Sequence, residues 1–141
     1  FTQLQTNKIT KIDSRFLAGT GPRFKLSGSG VLHVYLGVLA MYEYERELTV
    51  PPVSHHDVRN SNYLSFTIKP TATLEIISTT FYQPRFSQWG DFRILNQESA
   101  SLAITQKLSA TINWNYLYDQ FPVAGVPKSN YTFSTGFRYA F

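Results

Sequence analysis

The cluster with the clearest metal-binding or acid–base character is His55-His56-Asp57. Imidazoles and a carboxylate suit a zinc ion, and in a loop both rings can turn toward it. On a strand, adjacent histidines would point to opposite faces instead. A histidine beside Asp57, Asp91 or Asp119 would be the acid–base pairing of a hydrolase seated at a barrel rim. The plainer reading of the cluster is a polar loop, so no catalytic, cofactor-binding or metal-ligating residue is expected, and no enzymatic activity. The larger chemical signal is a set of charges that share the polar phase of alternating segments: Arg15, Arg23, Lys25, Glu43, Glu45, Lys69, Glu75, Arg85, Arg93 and Arg138. Seven are basic and three acidic. Facing into a narrow barrel, they would either pair and plug the lumen or bias a small pore toward anions.

The elements that must position these charges are alternating ribbons. The last of them, Asn130 to Phe141, reads N-Y-T-F-S-T-G-F-R-Y-A-F. Tyr131, Phe133, Phe137, Tyr139 and Phe141 share one phase. Asn130, Thr132, Ser134, Gly136, Arg138 and Ala140 share the other. Side chains alternate faces along a strand, so this ribbon has an aromatic face and a small or polar face. A lipid-facing and a lumen-facing side suit it, and barrel closure removes the exposed edge.

Seven further ribbons precede it, separated by turn chemistry. They cover residues 1–11, 15–27, 31–46, 59–69, 73–85, 91–105 and 108–118. Pro22 interrupts the second, because proline cannot donate to a ladder. In the sixth, Asn96 and Glu98 share the phase of Phe92, Ile94, Ala100 and Leu102, so either the apolar band is broken or a bulge switches the phase. Turns are expected at Ile12–Ser14, Gly28–Gly30, Pro70–Ala72 and Gln106–Lys107, with longer loops at Glu47–Val58, Phe86–Gly90 and Asp119–Ser129. Short and long connections alternate in outer-membrane barrels. Tyr42, Tyr44, Tyr82, Tyr116 and Tyr118 near one set of ends, and Phe137, Tyr139 and Phe141 near the other, would form two aromatic girdles.

Composition agrees. The 141 residues are 43% hydrophobic and 16% aromatic, and cysteine is absent. Mean hydropathy is only −0.19, so apolar residues are interleaved with polar ones. No run approaches the ~18 apolar residues of a membrane helix. The formal charge is +4. The basic residues are dispersed and form no nucleic-acid motif, so nucleic acid is not an expected partner. An exported protein loses its signal segment, so Phe1 is expected to be a mature terminus or an internal starting point. The alternative architecture is a soluble antiparallel barrel serving as a binding module, with the apolar phases turned into a core.

The stretch Asn7 to Leu26, N-K-I-T-K-I-D-S-R-F-L-A-G-T-G-P-R-F-K-L, resembles the salt-induced outer-membrane proteins catalogued as domain of unknown function 481. So do Phe81 to Arg85 (F-Y-Q-P-R), Gly90 to Ile94 (G-D-F-R-I) and the aromatic C-terminus. The resemblance implies an integral β-barrel of a Gram-negative outer membrane, with no catalytic residues to carry over. It covers the later part of the family domain, implying further N-terminal strands and a barrel of more than eight. It also implies that Phe133, Phe137, Tyr139 and Phe141 form the signal read by the barrel assembly machinery.

The expectation is therefore an all-β, antiparallel transmembrane barrel, about eight strands in one domain over residues 1–141. It would be a structural, envelope-stress or complex-associated component, or alternatively a narrow, porin-like and weakly anion-selective channel for small solutes. Expected partners are the lipid bilayer, lipopolysaccharide, the assembly machinery and another outer-membrane protein. No cofactor is expected.

Overall fold

Period-two alternation along most of the chain produces strands, and no helix among the described residues. The computed structural model describes residues 2–8 and 11–140. Its elements are β1 (Thr2–Asn7), β2 (Ile12–Thr20), β3 (Arg23–Gly28), β4 (Leu32–Glu47), β5 (Ser54–Ile68), β6 (Leu74–Arg85), β7 (Gln88–Ala103), β8 (Leu108–Asp119) and β9 (Ser129–Tyr139). All pairings are antiparallel, in the order β1-β2-β4-β5-β6-β7-β8-β9, with β3 also on β4. Among the described residues β1 does not pair with β9. The sheet is a curled half-barrel with two edges.

β2 and β3 are one ribbon with a break. Thr20 faces Ala40 and Arg23 faces Gly37, so the register on β4 is unchanged across Gly21-Pro22. Pro22 supplies no donor, but its carbonyl accepts from the Val38 N–H at 3.1 Å. Gly21 is there because the backbones approach closely. A Cβ on it would lie 2.1 Å from the Val38 carbonyl oxygen and 2.6 Å from Leu39 Cα. Both atoms are backbone and cannot rotate away. Gly21→Ala is expected to lower the urea midpoint of the folded protein measurably. Gly30→Ala, where nothing lies within 4 Å of a Cβ, should leave it nearly unchanged. Equal midpoints for the two variants would refute the close-approach reading.

Several expected connections are shorter than composition suggested. Ile12–Ser14 is not a turn: Ile12 pairs with Glu47 and Ser14 with Arg46, and the turn lies just before, around Lys8 and Lys11. The expected loop at Glu47–Val58 shrinks to 48–53, because β4 and β5 pair from Leu32↔Ile68 to Arg46↔Ser54. The one at Phe86–Gly90 shrinks to 86–87. Proline, histidine and glycine gave these segments loop chemistry, and the continuous ladder of a long neighbour overrode it. One end of the sheet, called the upper end here, carries loops 48–53, 86–87 and 120–128. The lower end carries 29–31, 69–73 and 104–107. Long and short connections therefore alternate less sharply than expected.

The two phases are sorted in an unusual sense. The convex face carries Phe24, Leu26, Val38, Phe66, Ile76 and Leu102, all exposed. Ile112, Phe133 and Phe137 on that face are 48%, 62% and 78% exposed. The concave face takes the polar phase, and the largest fully buried side chains there include Arg59, Met41 and Glu43. The soluble-barrel alternative needed the apolar phase on the inside; it lies on the outside. Below the buried charges comes a layer of rings, with Tyr63 and Phe81 centroids 5.5 Å apart. Gly37 makes room for them, since a Cβ there would meet the Tyr63 ring. Lower still the interior is hydroxyl- and amide-lined, with Ser65 and Thr79 bonded at 2.8 Å.

The question left open for the sixth ribbon is settled by register. From Leu74↔Leu102 to Pro84↔Phe92, and from Arg93↔Asp119 to Ala103↔Ser109, no shift interrupts β7. The irregularity lies at its upper end, between Pro84 and Arg85 of β6. Asn96 and Glu98 therefore face outward with Ile94 and Ala100, and the apolar band is broken.

Candidate functional site

The polar phases of six strands meet at the upper end of the concave face. Arg15 comes from β2, Glu43 and Glu45 from β4, Asp57 and Arg59 from β5, and Arg85 from β6. Asp91 and Arg93 come from β7 and Asp119 from β8. Each is on the inner side because its strand's period-two pattern puts it there.

The contacts form one network. The Glu43 carboxylate accepts from Arg15 Nε at 2.5 Å, from Arg59 Nε at 2.6 Å, and also from Arg93 Nη1. Arg93 donates through Nε to Asp119 at 2.6 Å and through Nη2 to Glu45 at 3.3 Å. Arg59 reaches Asp91 at 3.3 Å and the Gln83 carbonyl at the same distance. Arg85 Nη2 bridges Asp57 at 2.8 Å and Asp91 at 2.9 Å. The Arg93–Glu43 bond is a chord. It joins β7 to β4, with β5 and β6 between them, across the space inside the curl. Four arginines face five carboxylates, so the network is close to neutral rather than positive.

Burial explains why the network must be so complete. Glu43 and Arg59 are 2% and 1% exposed. A buried charge without partners costs several kcal/mol or so, and arginine's fixed fork can satisfy two carboxylates at once. The expected contributors Arg15, Glu43, Glu45, Arg85 and Arg93 are all brought together here. The rest of the expected set is not. Lys69 and Glu75 pair with each other at 2.5 Å at the lower end. Arg23 lies over the Tyr35 ring at 4.0 Å. Lys25 and Arg138 are exposed, Arg138 opposite Ser109. The positive bias foreseen for the whole interior is thus confined to its lower part.

Four network members lie outside the expected inward set: Arg59, and Asp57, Asp91 and Asp119, which enter the sequence reading only as partners of a histidine. Each lies at or just beyond a ribbon boundary. Extending each ribbon's phase through the assumed loop would have found them, since Asp57 and Arg59 continue the phase of Tyr63. The histidine cluster is corrected in the same way. His55-His56-Asp57 is strand, not loop, and its side chains alternate. His55 pairs with Glu47 at 3.1 Å. His56 Nδ1 meets the Tyr42 hydroxyl at 2.7 Å on the other face. Asp57, Asp91 and Asp119 are held by arginines rather than by a histidine, so the hydrolase-like pairing is not assembled. Among the described residues no three His, Asp or Glu side chains converge to hold a metal ion.

A lid covers the network. Loop 120–128 turns through Val123–Val126, where the Val126 N–H donates to the Val123 carbonyl at 2.9 Å. Gly125, at φ 82°, takes the third position of that turn, where a left-handed backbone is required. Lys11 Nζ donates to the Ala124 carbonyl at 2.8 Å, and the Phe121 N–H to Asp119 at 3.0 Å. Between lid and network lies a cavity of about 450 Å³, with Phe121, Val123 and Val126 above and the ion pairs below.

Fold and site together define an antiparallel β half-barrel, apolar outside, whose interior is cross-braced by buried ion pairs at one end. The chain belongs to the family described as "Protein of unknown function, DUF481", which it matches over residues 1–141. Neither the curated proteins nor the solved structures gave a match. Of the expected assembly-signal residues, Phe133, Phe137 and Tyr139 are exposed on the outer face of β9. Phe141 lies outside the described residues.

Proposed function

We propose that the chain forms part of the wall of a bacterial outer-membrane β-barrel, that it is not an enzyme, and that its role is structural or complex-associated. The observation that carries this reading is the inverted sorting of side chains, with Arg59 and Glu43 buried inside while Ile112, Phe133 and Phe137 are bare outside. In water, so much contiguous apolar surface would be an aggregation hazard. In a bilayer it is the solvated surface, and the strands satisfy their backbone groups through one another. Lipid and lipopolysaccharide cover the convex face, and the exposed aromatics of β9 serve the barrel assembly machinery.

The narrow-channel alternative ranks second. The chord from Arg93 to Glu43 and the lid 120–128 both obstruct the upper end, and the near-neutral network offers no anion preference there. Lys25 and Arg138 at the lower end are what favour it. The test uses the full-length protein isolated from outer-membrane fractions and placed in a planar bilayer. The expected result is recovery in that fraction as a heat-modifiable barrel that conducts no steady current. Recovery elsewhere overturns the membrane reading. Steady anion-selective steps, reduced by Arg138→Gln, replace the structural role with the channel.

A further inference from the structure

Polar residues interrupt the outer face at more than one place, Asn60 and Asn62 of β5 among them, but one interruption carries a charge that its own chain does not explain. Ser78 and Thr80 of β6 face Glu98 and Asn96 of β7, and the next strand presents Trp114 and Tyr116 opposite them. Asn96 donates to Thr80 Oγ1 at 2.9 Å, while its own Oδ1 is buried without a partner. Glu98 is exposed and makes no ion pair with any described residue. It is flanked along β7 by outward Ile94, Ala100 and Leu102. Counting from Ala103 at the strand's lower end, Glu98 stands roughly 16 Å along the strand. In a strand tilted by about 40° that is near the middle of the apolar band.

This inference rests on the outer-membrane reading above. A carboxylate facing lipid at that depth is unfavourable, whereas the same group against a cation is satisfied. The chain does not supply that cation. Its only outward-facing basic side chain within a described strand is Arg46, at the upper end, 3.7 Å from Asp13. Two copies packed by this face would set Glu98 near Glu98, which like-charge repulsion opposes. We infer that the Ser78–Thr80–Asn96–Glu98 notch docks a membrane-embedded segment of a different protein, one that presents a Lys or Arg to Glu98 and a hydrogen-bond donor to Asn96. Trp114 and Tyr116 give that segment an aromatic rail on one side.

The test is site-specific photo-crosslinking in the full-length protein in its own membranes. Benzoylphenylalanine replaces Ser78 in one variant and Phe24, on the same face but far from the notch, in another. Membrane fractionation and heat-modifiable mobility are recorded for each. The expected result is a discrete adduct from position 78 and none from position 24. The captured peptide should carry a Lys or Arg in a membrane-embedded segment. Adduct yield should fall about tenfold or more in E98K, and be restored when the partner's cation is exchanged for glutamate. Glu98→Gln, nearly isosteric, gives the same comparison if E98K assembles poorly. A membrane-integrated barrel with no adduct overturns the inference while leaving the membrane reading intact. An adduct of twice the chain mass, a lipopolysaccharide ladder, or a yield indifferent to residue 98 overturns it as well. Absence from the membrane fraction overturns both readings.

Discussion

Glu43→Ala is expected to destabilise the folded protein by about 3–5 kcal/mol. Its carboxylate serves Arg15, Arg59 and Arg93 together. Removing it leaves three buried guanidiniums without their shared counter-charge, with Glu45, Asp91 and Asp119 already committed to them. Most of the cost is this uncompensated charge, so it should persist at high salt, where exposed pairs are screened. Glu75→Ala is the matched control. Its pair with Lys69 is partly exposed, at 37% and 51% for the two side chains. Removing it should cost under about 1 kcal/mol, and that effect should fade with salt. Urea unfolding of the full-length protein in detergent, followed by tryptophan fluorescence at low and high salt, reads both. Equal losses for the two variants would mean that the concave network contributes no more than a surface pair. A Glu43→Gln variant should fall between, because it keeps an acceptor for the arginines but not the charge.

The second large effect belongs to the other face. Ile112→Arg is expected to cost roughly 2–4 kcal/mol in a bilayer, because it turns a cation toward lipid. Asn113→Arg, one residue on, points into the interior between Ser99 and Ser134 and should cost clearly less. Ser109→Arg would be a poorer control, since Ser109 faces Arg138 and the two cations would repel. Folding equilibria of both variants into lipid vesicles make the comparison. Indistinguishable losses would mean that the convex face is not lipid-exposed and would remove the basis of the proposed function.

Much of the architecture was legible in the residues. A period-two pattern is a local property, and the aromatic phase of β9 or the apolar phase of β4 needs no partner to be recognised. The break at Pro22 was equally local, since a missing N–H is a property of one residue. Strand ends were less legible. Val58 and His56 lie in β5 because Tyr42 and Tyr44 face them across the ladder, and nothing within 47–58 announces that partner. For the same reason the expected upper loops were too long, and Asp57, Arg59, Asp91 and Asp119 were left out of the inner set.

The sequence by itself determined that the chain is all strand, which side chains share a face, and that one of the two faces is rich in charge. Only the tertiary structure decided that the charged phase lies inside the curl, that β7 runs through Glu98 without a bulge, and that Arg93 reaches Glu43 three strands away. Alternation is set by the geometry of one strand. Curvature and chords depend on the register and twist accumulated over all of them, and no single stretch of residues carries that sum.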